Sequence, residues 1–220
     1  NVIPNGDTTP MFLDNTEFAA QNIGNSQTKT FRLRNVGGLL LSVSSITVSN
    51  TTDFSVTSSA PYNIAGASYA DFTITFQPQS MGIKTGIVTI ANTDLTDNPY
   101  TFTVQGAGEN AEIEVTGNNV VIPNGNTTIS AADNTLIGSA NGNAANPTTI
   151  AKTFVIHNTG NVALNASAIT IDGGDVSQFE ITPASINPIA AGATGTITVT
   201  FKPTSSGVKN TTVKIANNDV

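Results

Sequence analysis

The single histidine is the first candidate for chemistry. His157 is the only histidine, and the chain has no cysteine, so any nucleophile with a neighbouring imidazole base would have to be built around this residue. His157 follows the apolar Ile156 in an alternating segment, and the matching position of a similar earlier segment is Arg34. We therefore interpret His157 as an outward-facing strand residue. The lack of cysteine also excludes disulfides and thiolate metal sites.

Two glutamates have a spacing that could suit acid–base chemistry. Glu112 and Glu114 would lie on one face of a strand about 6.5 to 7 Å apart, within the range of an inverting glycosidase pair. They alternate with Ile113 and Val115, so they should point into solvent, whereas a catalytic pair normally flanks a cleft from different elements. We predict that the protein is not an enzyme and has no catalytic residue.

Acidic residues in two places could supply oxygen ligands for calcium. The two groups are Asp7, Asp14 and Glu17, and then Asp94, Asp97 and Glu109. Neither group has the spacing of a known calcium loop, and Asp and Asn are common turn formers. We interpret these residues as turn chemistry, and we predict no metal site and no cofactor.

Carbohydrate binding on a β-protein usually needs exposed aromatic rings. The chain has no tryptophan and three tyrosines. Tyr100 shares the face of Phe102 and should be buried, which leaves Tyr62 and Tyr69 as candidate stacking residues. A glycan platform remains an alternative.

Composition narrows the class of protein. Charged residues make up 10% of the chain and the net charge is −7, whereas about 25% charged residues is typical. The basic residues are scattered, so nucleic acid is not an expected partner. Apolar runs are far shorter than the roughly 20 residues of a membrane span. Thr and Asn exceed a quarter of the residues, which favours strands and turns.

Three blocks of sequence occur twice. Residues 2–9 return as 121–128, residues 30–37 as 153–160, and residues 72–94 as 197–219. The chain is therefore a tandem duplication.

Within each copy the hydrophobic period is two, which indicates half-buried antiparallel strands. We predict an all-β chain of two tandem β-sandwiches, each with about seven strands. The predicted core of copy one is Phe31, Leu33, Phe72, Ile74, Phe76, Val88 and Ile90, and that of copy two is Phe154, Ile156, Ile197, Val199, Phe201, Val213 and Ile215.

These motifs resemble a known repeat. The segments are Asn-x-Gly at 35–37, Ser-Ile-Thr-Val at 45–48, Phe-Thr-Ile-Thr-Phe-Gln-Pro at 72–78 and Tyr-Thr-Phe-Thr-Val-Gln-Gly at 100–106. They are similar to the repeats of bacterial choice-of-anchor D proteins, which resemble the ASH/hydin branch of immunoglobulin-like folds. The resemblance implies a secreted or surface-anchored bacterial protein, often with a C-terminal sorting domain for type IX secretion.

The repeats are predicted to span residues 1–108 and 109–220. Copy one begins without the strand that residues 112–116 give copy two, and copy two stops before the strand that residues 100–106 give copy one. Two interpretations stay open. In a continuous array, sequences like these would flank Asn1 and Val220 and complete each copy. In a filament, neighbouring subunits would donate the missing strands.

We therefore expect a non-catalytic spacer or stalk of an extracellular or bacterial cell-surface protein, serving adhesion or surface display. Its expected partners are neighbouring repeats of the same array. The alternatives are a module that binds surface glycan or protein, accessory to a secreted enzyme, and a filament subunit completed by strand donation.

Overall fold

Alternating apolar and threonine-rich positions form strands along most of the chain in the computed structural model, which describes residues 1–142 and 148–219. The chain divides into two compact units, Asn1–Glu109 and Asn110–Val220, called unit 1 and unit 2 below. Each unit is built mainly from antiparallel strands with apolar residues on one face, so each has its own core, and the pair of the first and last strands of unit 1 is parallel.

Unit 1 contains one short 3-10 helix, Phe12–Asp14, and eight strands. The strands are β1 (Gln21–Asn22), β2 (Gln27–Arg34), β3 (Leu41–Val48), β4 (Phe54–Thr57), β5 (Tyr62–Ile64), β6 (Tyr69–Phe76), β7 (Gly82–Asn92) and β8 (Tyr100–Glu109).

Two sheets face each other in unit 1. One has the order β1-β8-β7-β3-β5 and the other the order β2-β6-β4. Phe31 on β2 and Phe102 on β8 meet across the sandwich with ring centroids 5.5 Å apart. Within the smaller sheet, Phe31 lies opposite Phe72. Because the side chains alternate, Thr28 and Thr75 lie on the outer face and hydrogen-bond at 2.8 Å.

The described residues of unit 2 form a short 3-10 helix, Val176–Gln178, and nine strands. The strands are β9 (Ile113–Gly117), β10 (Val120–Val121), β11 (Ile150–Asn158), β12 (Leu164–Ala166), β13 (Ala168–Asp172), β14 (Phe179–Thr182), β15 (Ile186–Ile189), β16 (Thr194–Phe201) and β17 (Thr212–Ala216).

The sheets of unit 2 repeat those of unit 1, except that β9 and β10 are added to one sheet and the described residues form no counterpart of β8 or β1 in the other. One sheet has the order β10-β9-β11-β16-β14, in which β11, β16 and β14 correspond to β2, β6 and β4. Strand β9 pairs with β11, and no described strand takes that place beside β2 in unit 1. Facing this sheet, β12 pairs with β15 and β13 with β17. Among the described residues, nothing corresponds to β8.

Most of the predicted core is buried, and Phe76 and Phe201 are 0% and 8% exposed. Three predictions were wrong. Leu33 is only half-buried, whereas its counterpart Ile156 is fully buried, because β9 lies beside β11 and no described strand lies beside β2. Val213 is 37% exposed and Ile215 is half-buried, because no described strand covers β17.

Candidate functional site

The described residues contain no cluster of three or more His, Asp or Glu side chains placed to hold a metal ion. No helix among them has the length and hydrophobicity to cross a lipid bilayer.

The half-buried His157 lies on β11. It directly follows the buried Ile156, so its side chain points to the opposite, outer face of the sheet, as expected. Its Nε2 is 3.0 Å from the Thr116 hydroxyl on the neighbouring strand β9. In the part of the chain that the structure describes, no carboxylate hydrogen-bonds to the imidazole. The arrangement is a cross-strand hydrogen bond, without the acid that orients the base of a catalytic triad.

Glu112 and Glu114 do not share a strand. Strand β9 begins at Ile113, one residue later than the predicted span of residues 112–116. Glu112 is exposed and accepts a hydrogen bond from Asn110 Nδ2 at 3.2 Å. Glu114 is half-buried and lies opposite His157 in the β9/β11 ladder.

The acidic residues form turns. Asp7 accepts hydrogen bonds from the amide and hydroxyl of Thr9 at 2.9 and 2.7 Å, and Asp94 accepts the equivalent pair from Thr96, both at 2.8 Å. These hydrogen bonds lower the pKa of both carboxyl groups below its ordinary value.

The four remaining residues of the two acidic groups also accept hydrogen bonds, two through their carboxylates and two through their backbone carbonyls. Asp14 accepts from the Thr16 amide at 3.0 Å, and Asp97 accepts from Asn5 Nδ2 at 2.9 Å. The backbone carbonyl of Glu17 accepts from the Lys29 ammonium, and that of Glu109 accepts from the Ile23 amide at 3.0 Å.

The tyrosines do not form an open platform. Tyr62, expected to be a free loop residue, lies on β5, packs against the core and donates from its hydroxyl to the Asp71 carbonyl at 3.0 Å. Tyr69 is 57% exposed, but the Arg32 guanidinium covers its ring at 3.9 Å from the centroid. Tyr100 packs against the core and donates to the Ile3 carbonyl.

One buried polar cluster recurs in both units. In unit 1, Asn35 Nδ2 donates to the carbonyls of Leu39 and Ile64 at 2.7 and 2.8 Å, and its Oδ1 accepts from the Gly37 amide at 3.0 Å. In unit 2, Asn158 makes the same three hydrogen bonds, at 2.7, 2.9 and 3.1 Å, with Val162, Ile189 and Gly160. The asparagine of each Asn-x-Gly motif therefore joins its own loop to a more distant strand, β5 in unit 1 and β15 in unit 2. We call this arrangement the asparagine latch.

The strongest candidate for a binding site is an apolar groove in unit 2. Its volume is about 1990 Å³, above the roughly 300 to 1,000 Å³ of ordinary small-molecule pockets. Its floor is the β11-β16-β14 sheet and its sides are β17 and the 122–137 segment. The apolar residues lining it include Ile122, Ile137, Phe154, Ile197, Val199, Phe201, Val213 and Ile215.

The groove occupies the place that β8 fills in unit 1. There, Val88 lies opposite Phe102 in a nine-pair ladder between β7 and β8 and is 0% exposed. Val213 holds the same position on β17, but this strand pairs only with β13 among the described strands, and Val213 is 37% exposed. The groove is therefore an open part of the sandwich core.

Both lysines that line the groove are paired with an aspartate, whereas Glu112 and Glu114 line it without a described ion pair. Lys209 lies 3.6 Å from Asp175, and Lys214 is paired with Asp172, whose pKa its ammonium lowers. The apolar side chains of the lining favour an apolar face on any occupant.

Sequence reasoning missed these groove residues as candidates. Period-two patterning predicts which face of a strand is apolar, but burial also requires a neighbouring strand. The sequence did contain one indication of the groove. The given sequence of copy two has no counterpart of residues 100–106, the segment that covers the position of Val213 in copy one.

A family model described as HYDIN/CFA65/VesB-like, Ig-like domain matches residues 11–107, nearly all of unit 1. This match supports an immunoglobulin-like domain of the ASH type there. No curated protein matches the chain.

Among solved structures, the ASH/PapD-like domain 7 of human CEP192 is 13% identical with a TM-score of 0.36, covering 43% of this chain and 81% of that one. The secreted serine protease VesC from Vibrio cholerae is 8% identical with a TM-score of 0.36, covering 91% and 49%. A protein of unknown function from Porphyromonas gingivalis W83 is 11% identical with a TM-score of 0.33, covering 86% and 81%. Such TM-scores carry no argument about function. The sheets of both units and the family match to unit 1 are those of immunoglobulin-like β-sandwiches.

Proposed function

We propose that this chain is a non-catalytic spacer segment of a bacterial cell-surface or secreted protein, holding other domains away from the cell for adhesion or display. The observation that carries the proposal is the asparagine latch. Its three hydrogen bonds recur in both units with distances that agree within 0.1 Å. The buried asparagine that both copies share therefore stabilises the fold.

The turn carboxylates support the same conclusion. Asp14 and Asp133 each accept from the amide of the threonine two residues later at 3.0 Å, so this turn also recurs. Support for the cell-surface or extracellular location, and for a choice-of-anchor D protein of the type IX pathway, is the resemblance of the repeat motifs.

The spacer role is tested by placing the chain between an unrelated surface anchor and an unrelated adhesive tip. The distance from tip to cell surface should increase while the affinity of the tip for its ligand stays constant. Glycan-array and hydrolase screens of the 220-residue chain should be blank. Binding of a specific sugar that is lost in Tyr69→Ala would contradict the proposal and favour a glycan-binding module.

A further inference from the structure

We infer that the groove of unit 2 is a strand-accepting site, and that its occupant is an extended peptide segment with the pattern aromatic-x-Val-x-Gly-x-Gly, as in residues 102–108. This inference does not depend on the spacer role. It rests on the comparison of two copies of one sandwich within one chain, of which unit 1 shows the site filled by β8 and unit 2 shows it open.

The sides of the groove offer backbone groups to a strand. In unit 1, the Gly6 amide donates to the Thr101 carbonyl at 2.8 Å and the Thr103 amide donates to the Asp7 carbonyl at 2.8 Å. The corresponding residues of unit 2 are Gly125 and Asn126, and both line the groove.

Further along β8, the Gln105 amide donates to the Thr16 carbonyl at 2.9 Å, and the Phe18 amide donates to the Gln105 carbonyl at 2.7 Å. Their counterparts Thr135 and Ile137 also line the groove. On the other side, β7 forms a ladder with β8, and β17 is its counterpart. An extended backbone can satisfy both sides at once, whereas a compact apolar ligand would leave these groups unpaired.

The floor of the groove specifies the side chains. Phe102 and Val104 are 3% and 0% exposed in unit 1, and the Phe102 ring lies against Phe31. The matching floor residue in unit 2 is Phe154, which lines the groove. An aromatic residue followed two positions later by valine would therefore fill it.

Two glycines complete the pattern because the backbone passes close to the floor. A Cβ on Gly106 would lie 2.5 Å from the Phe76 ring, and one on Gly108 would lie 2.2 Å from the Ser80 carbonyl oxygen. The counterparts of these contacts are Phe201 and Ser205, and both line the groove. The occupant must therefore carry glycine at both positions and run antiparallel to β17.

The test uses the full 220-residue chain and a synthetic peptide with the sequence of residues 98–109. Calorimetry should show saturable one-to-one binding, and hydrogen exchange should show protection of the amides of Val213 and Ile215. A peptide with Phe102→Ser and Val104→Ser, and one with Gly106→Val, should each bind at least tenfold more weakly.

Protein variants locate the site. Val213→Asp should weaken peptide binding at least tenfold, whereas Ile83→Asp, the same type of change at a position 71% exposed in unit 1, should leave it unchanged. The two control peptides keep the test valid if Val213→Asp does not fold. Absence of binding, equal binding of all three peptides, or protection confined to unit 1 would overturn the inference. So would dimerisation of the free chain through this groove, which would make a second copy the occupant.

Discussion

At the scale of single residues, the asparagines of the two Asn-x-Gly motifs are decisive for each sandwich. Asn158 is 1% exposed and bonds to the Gly160 amide and the Val162 carbonyl in its own loop and to the Ile189 carbonyl on β15. Without its side chain, two carbonyl oxygens and one amide would lose their partners, and buried groups left unsatisfied are costly.

Replacement of Asn158 by alanine should therefore lower the free energy of unfolding of unit 2 by about 2 to 4 kcal/mol. Urea denaturation followed by NMR signals of unit 2 measures this. Asn210→Ala, at an exposed position, is the matched control and should change stability by less than about 0.5 kcal/mol. Equal effects of the two substitutions would show that the latch does not stabilise the fold.

A second residue-scale prediction concerns pH. The hydroxyl and amide of Thr135 donate to Asp133 and lower the pKa of its carboxyl group in the folded chain. A group whose pKa is lower when folded contributes stability above its unfolded pKa, near 3.9, and this contribution is lost as the pH falls through the folded pKa.

Thr135→Val removes the hydroxyl, so it should raise the pKa of Asp133 towards the ordinary value. The variant should therefore lose less stability than the parent chain when the pH falls below about 4. Carbon-detected NMR titration of the carboxyl group measures the pKa directly. Thr127→Val, at an exposed position, should leave it unchanged. A titration of Asp133 that is the same in Thr135→Val and the parent chain would contradict this account.

At the scale of elements, β8 is the strand that closes the core of unit 1. Its Gly106 lies against Phe76, which is fully buried between Phe18 and Phe54 at centroid distances of 5.8 and 4.9 Å. The ring therefore has no space into which it can move, and close packing makes an added methyl group unfavourable.

Gly106→Ala should destabilise unit 1 by about 1 to 3 kcal/mol. Gly38→Ala is the matched control, because a Cβ there meets no atom within 4 Å. Thermal unfolding monitored by the NMR signals of unit 1 distinguishes the two. A Gly106→Ala protein as stable as the control would show that β8 packs less closely than described.

The strands were largely predictable and the groove was not. Phe72, Ile74 and Phe76 alternate with threonine and are buried on β6 as predicted. Val88 and Val213 stand in matching segments of the two copies, but they are 0% and 37% exposed. The difference arises from β8, which pairs with β7 and covers Val88 but is not part of the alternating pattern within β7 or β17 themselves. Tyr62 likewise looked free because its acceptor, the Asp71 carbonyl, becomes a neighbour only in the fold.

At the scale of the whole molecule, one continuous stretch of sequence supplies the last strand of unit 1 and the first strand of unit 2. Residues 100–117 contain β8 and then β9. Among the described residues, unit 1 has no counterpart of β9 and unit 2 has none of β8. As far as the structure describes it, unit 2 is therefore the sandwich of unit 1 without a strand that covers Val213 and Phe201.

The most direct test adds that strand within the same chain. Asp94 and Asp219 occupy matching positions, so a copy of residues 96–109 joined after Val220 would follow β17 as β8 follows β7. Hydrogen exchange at the amides of Val213 and Ile215 is the measurement, with an extension carrying Phe102→Ser and Val104→Ser as the control. The account predicts strong protection of both amides by the first extension and little by the second. Unchanged exchange with the first extension, or equal protection by both, would contradict it.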